Sequence, residues 1–319
     1  MSTERFVGID VSKDQLDVAI RPDGTHTQVP NTDDGFDPLV ARLRPLGPVL
    51  IVLGATGGYQ RRVVAALSLA GLPVVVINPA RAREFAKALG RLAKTDAVDA
   101  AILAEFAERV RPPVRPLPDA QAQKMQELLA RRAQLVGMRT MEKNRLGTAV
   151  DRTVRRSLEA HVTWLNKPID DAEDELGEAI EQSDVWKAKD ELLQSIGGIG
   201  PGVSRVLLFD LPELGTLTRE PIAALAGLAP LNRDSGRWSG KRFISGGRAT
   251  VRSAVYMAAH AARKWNPALK AFADRLEEAG KPAKVVLIAV ARKLLIIANA
   301  ILRDKKPWRD RTTNSVAVA

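Results

Sequence analysis

Apolar positions in the first third of the chain come in short runs separated by helical stretches. Phe6-Val7-Gly8-Ile9-Asp10-Val11 is one such run, ending in polar residues, and Leu16-Asp17-Val18-Ala19-Ile20 alternates as a half-buried strand does. Asp23-Gly24, between that strand and Thr25–Val29, is a hairpin turn signal. Val49–Leu53 and Val74–Ile77 are rich in β-branched residues, as buried parallel strands are. Helical patterning falls at about 36–44, 59–70 and 80–90. A hairpin followed by βαβ units predicts a mixed sheet flanked by helices.

Four prolines, Pro112, Pro113, Pro116 and Pro118, then punctuate the chain. Beyond them a helical pattern runs over about 119–194. Leu146, Val150, Val154, Leu158, Val162 and Leu165 recur every three or four residues, as one face of an amphipathic helix. A break is expected near Asn166-Lys167-Pro168. Charge is split along this stretch: residues 131–156 hold eight basic and two acidic side chains, residues 166–191 three and ten. Two readings are open, an intramolecular pair of helices or a dimerisation arm whose basic half also touches phosphate. Residues 192–304 read as helical with Gly-rich turns, and a tail follows from Lys305. The expected divisions are 1–112, 113–191, 192–304 and 305–319. No apolar run approaches the ~20 residues of a membrane span, and the N-terminus lacks an apolar signal core. The expectation is a cytoplasmic protein without a membrane partner.

Composition narrows the function. The chain has 319 residues, 48 Lys and Arg against 37 Asp and Glu, and a net charge of +11. That length suggests about two domains, and the basic balance points to a polyanion, nucleic acid first. With no cysteine, disulfides, Cys-ligated zinc, iron–sulfur clusters and thiol nucleophiles are excluded. Three histidines scattered at 26, 161 and 260 do not suggest a His-rich metal site.

Three places carry candidate chemistry. Asp10 ends the first strand, and Asp96 and Asp99 open a helix after Lys94-Thr95. Carboxylates three apart share a helix face, and hard oxygen ligands suit Mg²⁺ in phosphoryl transfer. Equally, Asp96 and Asp99 complement a helix dipole. Residues 231–270 hold nine Lys or Arg and one acid, Asp234. Arg233, Arg237, Lys241, Arg242, Arg248 and Arg252, interleaved with Gly and Ser, suit a phosphate backbone. Ser235 lies among them, where cations can lower a hydroxyl pKa and stabilise a phosphorane; it is also one of several loop serines. Ser195-Ile196-Gly197-Gly198-Ile199-Gly200-Pro201-Gly202 has the form of a helix–hairpin–helix turn, in which Gly198 and Gly200 let backbone N–H groups meet a phosphate. A tight turn between packed helices has the same form.

Together these stretches resemble the RNA-guided serine/DEDD transposases of bacterial insertion sequences, relatives of the pilin-gene invertase. Gly8-Ile9-Asp10-Val11-Ser12-Lys13, Ala55-Thr56-Gly57-Gly58-Tyr59 and Lys94-Thr95-Asp96-Ala97-Val98-Asp99-Ala100 look like the acidic motifs of their RuvC-like domain, with Ile77-Asn78-Pro79 beside the third. The 195–202 turn and Gly227-Leu228-Ala229-Pro230, leading to Ser235-Gly236, look like their C-terminal transposase domain. The resemblance covers about 5–308. It implies a RuvC/RNase H-like mixed-sheet domain, a coiled-coil arm and a mainly α-helical C-terminal domain. It makes Asp10, Asp96 and Asp99 Mg²⁺ ligands and Ser235 the nucleophile of a covalent phosphoserine link to DNA. It also implies a structured guide RNA, donor and target DNA as partners, dimers assembling to a tetramer, and a bacterial, nucleoid-associated location. One departure stands out: Gly54 occupies the position of the family's Glu before Ala-Thr-Gly. A smaller one is Gly197, where the family usually shows Pro. Gly54 keeps open a nucleic-acid-binding copy without catalysis, and a RuvC-like nuclease with an incidental serine is a further alternative.

Overall fold

A computed structural model of the chain describes residues 4–55, 57–91, 96–114, 119–232, 234–236 and 238–309, with the side chains of 96–98, 238 and 239 outside that description. The chain divides into two compact units, Met1–Leu117 and Pro118–Ala319.

The first unit is a five-stranded mixed sheet with helices on both faces. Strands β1 (Phe6–Val11), β2 (Gln15–Arg21) and β3 (Thr25–Pro30) form an antiparallel meander. Helix α1 (Asp33–Leu43), β4 (Leu50–Gly54), α2 (Gln60–Leu69), β5 (Val74–Ile77), α3 (Pro79–Ala88) and α4 (Asp96–Val110) follow. The strand order is β3-β2-β1-β4-β5, with β1, β4 and β5 parallel. All five strands fall where the hydrophobic runs predict them. Strand periodicity of two sorts the side chains. Val7, Ile9, Leu16, Val18, Ile51 and Leu53 pack against Phe36, Leu39, Val63 and Leu67 of α1 and α2. Phe6, Leu50 and Val52 face the other way, against Leu103, Phe106 and Ala107 of α4.

Gly8 shares the α4 face, and here glycine is required. A Cβ at this position would lie 2.2 Å from the Ala100 carbonyl oxygen and 2.2 Å from the Ala104 nitrogen. The α4 backbone therefore rests directly on β1. Since Ala100 lies over Gly8 while Phe106 and Ala107 pack with Phe6, α4 runs antiparallel to β1. Its N-terminus covers the strand's C-terminal end.

The second unit is helical apart from one small hairpin. Helices α5 (Ala120–Thr148) and α6 (Arg152–Glu181) form an antiparallel pair, followed by α7 (Asp184–Gln194), α8 (Pro201–Asp210) and α9 (Arg219–Leu225). Strands β6 (Asp234–Ser235) and β7 (Trp238–Ser239) make the hairpin, and α10 (Ala249–Trp265), α11 (Pro267–Glu278) and α12 (Ala283–Asp304) complete the unit. The chain reverses at Ala149–Asp151, not at the expected Asn166–Pro168. Asp151 caps α6 by accepting from the Thr153 and Val154 amides, and Pro168 lies inside that helix. Packing overrides the proline: Leu165 and Ile169 meet Leu135, and Leu176 and Ile180 meet Met125 and Leu129. The predicted single face of Leu146 to Leu165 is consequently split across the reversal, where Val150 is 94% exposed. The charge split is answered within the pair by Arg132–Glu173 and by Lys124–Glu175 at 2.7 Å.

Pro168 lacks the N–H that an interior helical residue supplies. Pro168→Ala is expected to stabilise the second unit by about 1–2 kcal/mol, or roughly 2–8 °C for its size. A lower midpoint by calorimetry would show that the ring's packing outweighs the missing bond.

One further expectation is corrected. Residues from Lys305 do not all form a tail: the Trp308 amide donates to Ser195 Oγ at 2.9 Å and its ring packs on the core. Helix α12 has 22 residues, and an 18-residue window of it reaches a mean hydropathy of 2.3, long and apolar enough to cross a membrane, yet half of that window is buried and Arg292 and Lys293 interrupt it. Val286, Val290, Leu294, Leu295 and Ala298 make it the central element of the second core. Its apolarity follows from being surrounded by helices.

Candidate active site

The candidate carboxylate centre lies in the first unit. Asp10 has the same strand parity as Phe6 and Gly8, so its side chain is on the α4 face. Asp99, in the first turn of α4, is half-buried. The antiparallel crossing brings that turn over the end of β1 that carries Asp10. Backbone N–H groups at a helix start favour negative charge nearby. Asp96 is the first residue of α4, and its side chain lies outside the described residues. Among the described residues no three carboxylate or imidazole side chains converge as a metal site.

The β1–β4 register pairs Ile9 with Leu53. Extended by one residue, it sets Asp10 beside Gly54. Gly54 has the parity of Leu50 and Val52, so a side chain there would also face α4. The position without a carboxylate is thus Asp10's immediate neighbour on one side.

On the other side stands a residue that the sequence reading passed over. Asp17 of β2 pairs directly with Asp10. It lies on the same face as Ala19, which packs on Ala100 and Ala104, and it is only 2% exposed. Gln28 and Gln15 donate to its carboxylate at 2.9 and 3.1 Å, and His26 Nε2 is 3.6 Å away. Like charges directly opposed across strands repel, so this pair concentrates negative potential where α4 begins. The signal was available: the tight reversal at Ser12–Gln15 fixes a register in which positions 10 and 17 face each other.

Other motif residues build the scaffold. Ser12 Oγ donates to the Gln15 carbonyl at 2.9 Å and closes that reversal. Asn78 caps α3, accepting from the Ala80 amide, with Pro79 at the first helical position. Gly57 and Gly58 take positive φ of 56° and 100° in the turn leading to α2. Thr56 lies outside the described residues.

The candidate serine lies in the second unit. Ser235 is exposed in β6, next to Gly236, whose φ of 57° turns the hairpin. The hairpin is braced at its base. Asp234 Oδ1 accepts from Arg242 at 2.6 Å and from the Gly240 amide at 3.2 Å. Leu231 and Phe243 bridge below it, and Gly227 and Gly247 touch so closely that a Cβ on Gly247 would lie 2.1 Å from the Gly227 nitrogen.

The predicted phosphate-binding residues divide accordingly. Lys241 is exposed. Arg242 is engaged by Asp234, Arg248 makes a bidentate pair with Glu213 at 2.5 and 2.8 Å, and Arg252 donates to the Gly246 carbonyl. These three brace the loops that carry the hairpin. Arg233 and Arg237 lie outside the described residues. In the Gly-rich turn, Gly198 is pressed against α10, since a Cβ there would be 2.5 Å from Ala262. Gly200, by contrast, has open space and starts α8.

Asp210, at the end of α8, receives a hydrogen bond from Thr250. Burial pushes its carboxyl above the usual range, against the opposing effects of Thr250 and Arg248. A raised folded-state pKa makes the ionised form unfavourable, so stability falls as pH rises from the unfolded through the folded value. Asp210→Asn is expected to raise the unfolding midpoint at pH 7, with the gain shrinking at pH 4. A gain that grows on acidification would contradict this sign.

Comparison with known proteins bears on both units. Residues 7–154 match the IS110 DEDD transposase family, and residues 190–274 match the transposase family IS116/IS110/IS902. The pilin gene-inverting proteins of Moraxella lacunata and Moraxella bovis are each 27% identical over 97% of this chain and 99% of their own length. An insertion element IS900 protein of Mycobacterium paratuberculosis is 37% identical over 30% of this chain and 24% of its own length. DEDD-type transposase domains use divalent metal ions, which the hard-oxygen character of Asp10, Asp17 and Asp99 suits. Transposase models of the IS110 family thus match both parts of this chain, which is an enzyme of DNA recombination.

Proposed function

We propose that this transposase cuts and rejoins DNA through a phosphoserine intermediate on Ser235, assisted by Mg²⁺ at Asp10, Asp96 and Asp99 in a RuvC-like domain. The observation that carries the reading is the crossing of α4 over β1. It sets Asp99 above the strand end where Asp10 and Asp17 face each other. Mg²⁺ bound there supplies charge neutralisation to the reacting phosphate. With Gly54 contributing no side chain, Asp17 is the carboxylate paired with Asp10 on its other flank.

Ser235 is held exposed on a braced two-residue hairpin, so its hydroxyl reaches a phosphodiester while the strands stay fixed. Its oxygen bonds to phosphorus and gives up its proton. The phosphorus–oxygen bond to the leaving sugar breaks, and the released hydroxyl takes a proton. Attack by a second strand's hydroxyl on the phosphoserine reverses these changes and joins the strands. Arg233, Arg237 and Lys241 balance the phosphate charge, and the Gly198–Gly200 turn holds the backbone away from the cut.

The family resemblance adds a structured guide RNA that chooses target and donor, dimers formed through the α5–α6 arm, and a tetramer. In that assembly the carboxylate unit of one protomer completes the serine site of another. The reading places the enzyme in a bacterial cytoplasm.

The test is strand exchange between donor and target plasmids with the element's flanking RNA and Mg²⁺. Exchange is expected from the chain as it stands and is expected to vanish with Ser235→Ala. Strand cleavage to free ends that survives Ser235→Ala would overturn the serine mechanism.

A further inference from the structure

We propose that the end of α10 and the Gly-rich turn together bind an unpaired nucleotide of a DNA strand, its base stacked on Trp265 and its phosphate held by Lys264 and the turn. The inference rests on the recombinase reading, since cutting and exchanging strands generates unpaired nucleotides.

The sequence of α10 makes it amphipathic. Val251, Val255, Ala258, Ala259 and Ala262 are buried in the second core. Trp265 closes the helix and is 69% exposed. A large aromatic ring left in water is poor folding design and a ready stacking platform, because every base offers a π-face. The Lys264 ammonium lies 5.0 Å from its ring centroid, so a cation stands beside the stacking surface. Arg263 is already paired with Glu277, and Arg303 with Asp304. Lys264 itself stays exposed.

The Gly-rich turn abuts this helix end. A Cβ on Gly197 would lie 3.1 Å from the Trp265 carbonyl oxygen. Gly200 and Gly202 at the start of α8 are exposed, and an amide at the second position of a helix has no intrahelical acceptor. A second observation points to a missing acceptor. Asn266 is 1% exposed and its Cβ is 3.5 Å from the same Gly197 position. Its Oδ1 caps α11 by accepting from Leu269, but its Nδ2 has no hydrogen-bond partner among the described residues. Buried donors normally have one. On the far side, the Trp308–Ser195 bond brings the exposed Lys305, Lys306 and Arg309 to the base of the turn. Cations, outward amides and one exposed ring match a phosphate next to an unpaired base. A base-paired duplex presents phosphates but hides its base faces.

The experiment is fluorescence anisotropy of the full chain with a labelled single-stranded oligodeoxynucleotide, its duplex and the same sequence as RNA. Trp265→Ala is expected to weaken single-strand DNA binding by about 5- to 150-fold. Trp265→Phe should retain most of the affinity, and duplex affinity should change less than about twofold. Lys264→Ala should reduce the single-strand salt slope by about 0.7. Unchanged single-strand affinity in Trp265→Ala would overturn the proposal, as would an equal loss on single strand and duplex. A loss confined to RNA would overturn the DNA assignment, and an altered sedimentation coefficient without an affinity change would make the ring a protein contact. Failure of the recombinase reading shows separately, as binding by the unaltered chain without strand exchange.

Discussion

Asp99→Asn is expected to lower strand exchange by at least about 10²–10³-fold while the unfolding midpoint moves by only a few degrees. Asparagine keeps the shape of the side chain and removes its charge. Two roles predict opposite results. If Asp99 only complements the α4 dipole, its loss costs about 0.3–1 kcal/mol of stability and leaves activity intact. If it holds a cation over Asp10, activity collapses and stability barely changes. The position favours the second role, because the first turn of α4 lies over the strand end where Asp10 already faces Asp17. Strand exchange and calorimetry on the same preparation separate the two. Full activity with a lowered midpoint would remove Asp99 from the site.

Gly8→Ala is expected to destabilise the first unit by more than about 3 kcal/mol, at the upper end of overpacking effects. In a unit of this size that is more than about 10 °C. The added carbon would meet the backbone of Ala100, Leu103 and Ala104, at 2.2 to 2.7 Å, and none of these atoms can swing aside. Either α4 lifts from β1 or the strand bends. Both movements separate Asp99 from Asp10, so exchange should fall with stability. Gly137→Ala is the control: it lies inside α5 with nothing within 4 Å, and should stabilise by about 0.5–1 kcal/mol. A midpoint for Gly8→Ala within 2–3 °C of the parent would mean that the helix–strand contact is looser than described.

The first unit was the more legible half in the sequence. Its strands are short, bounded by turns and of definite parity, so periodicity alone finds all five. Asp10, Asp96 and Asp99 were visible as acids at a strand end and a helix start. For Asp17 the 12–15 reversal gave the register with Asp10 but not the burial, because an acid in an alternating strand reads as its wet face, and only β2's place between β1 and β3 puts that face under α4. The long helical stretch misled for a related reason. Proline is a strong local breaker, but Leu165 and Ile169 gain more by packing on Leu135 than Pro168 loses. Ala149–Asp151 carries weaker local signals, yet it is where the two apolar faces must reverse to meet. Basic residues were the hardest to sort. Arg242, Arg248 and Arg252 read alike in composition, and only the fold supplies Asp234, Glu213 and the Gly246 carbonyl as their acceptors.

The central claim is that DNA becomes esterified to Ser235 in this chain, with Gly54 in place. The direct measurement is mass spectrometry of the protein after reaction with DNA, RNA and Mg²⁺, followed by nuclease and protease digestion. The expected result is a nucleotide remnant on the peptide containing Ser235, present in the unaltered chain and in Gly54→Glu. A remnant on Tyr59 or Tyr256, or its appearance only with Gly54→Glu, would contradict it.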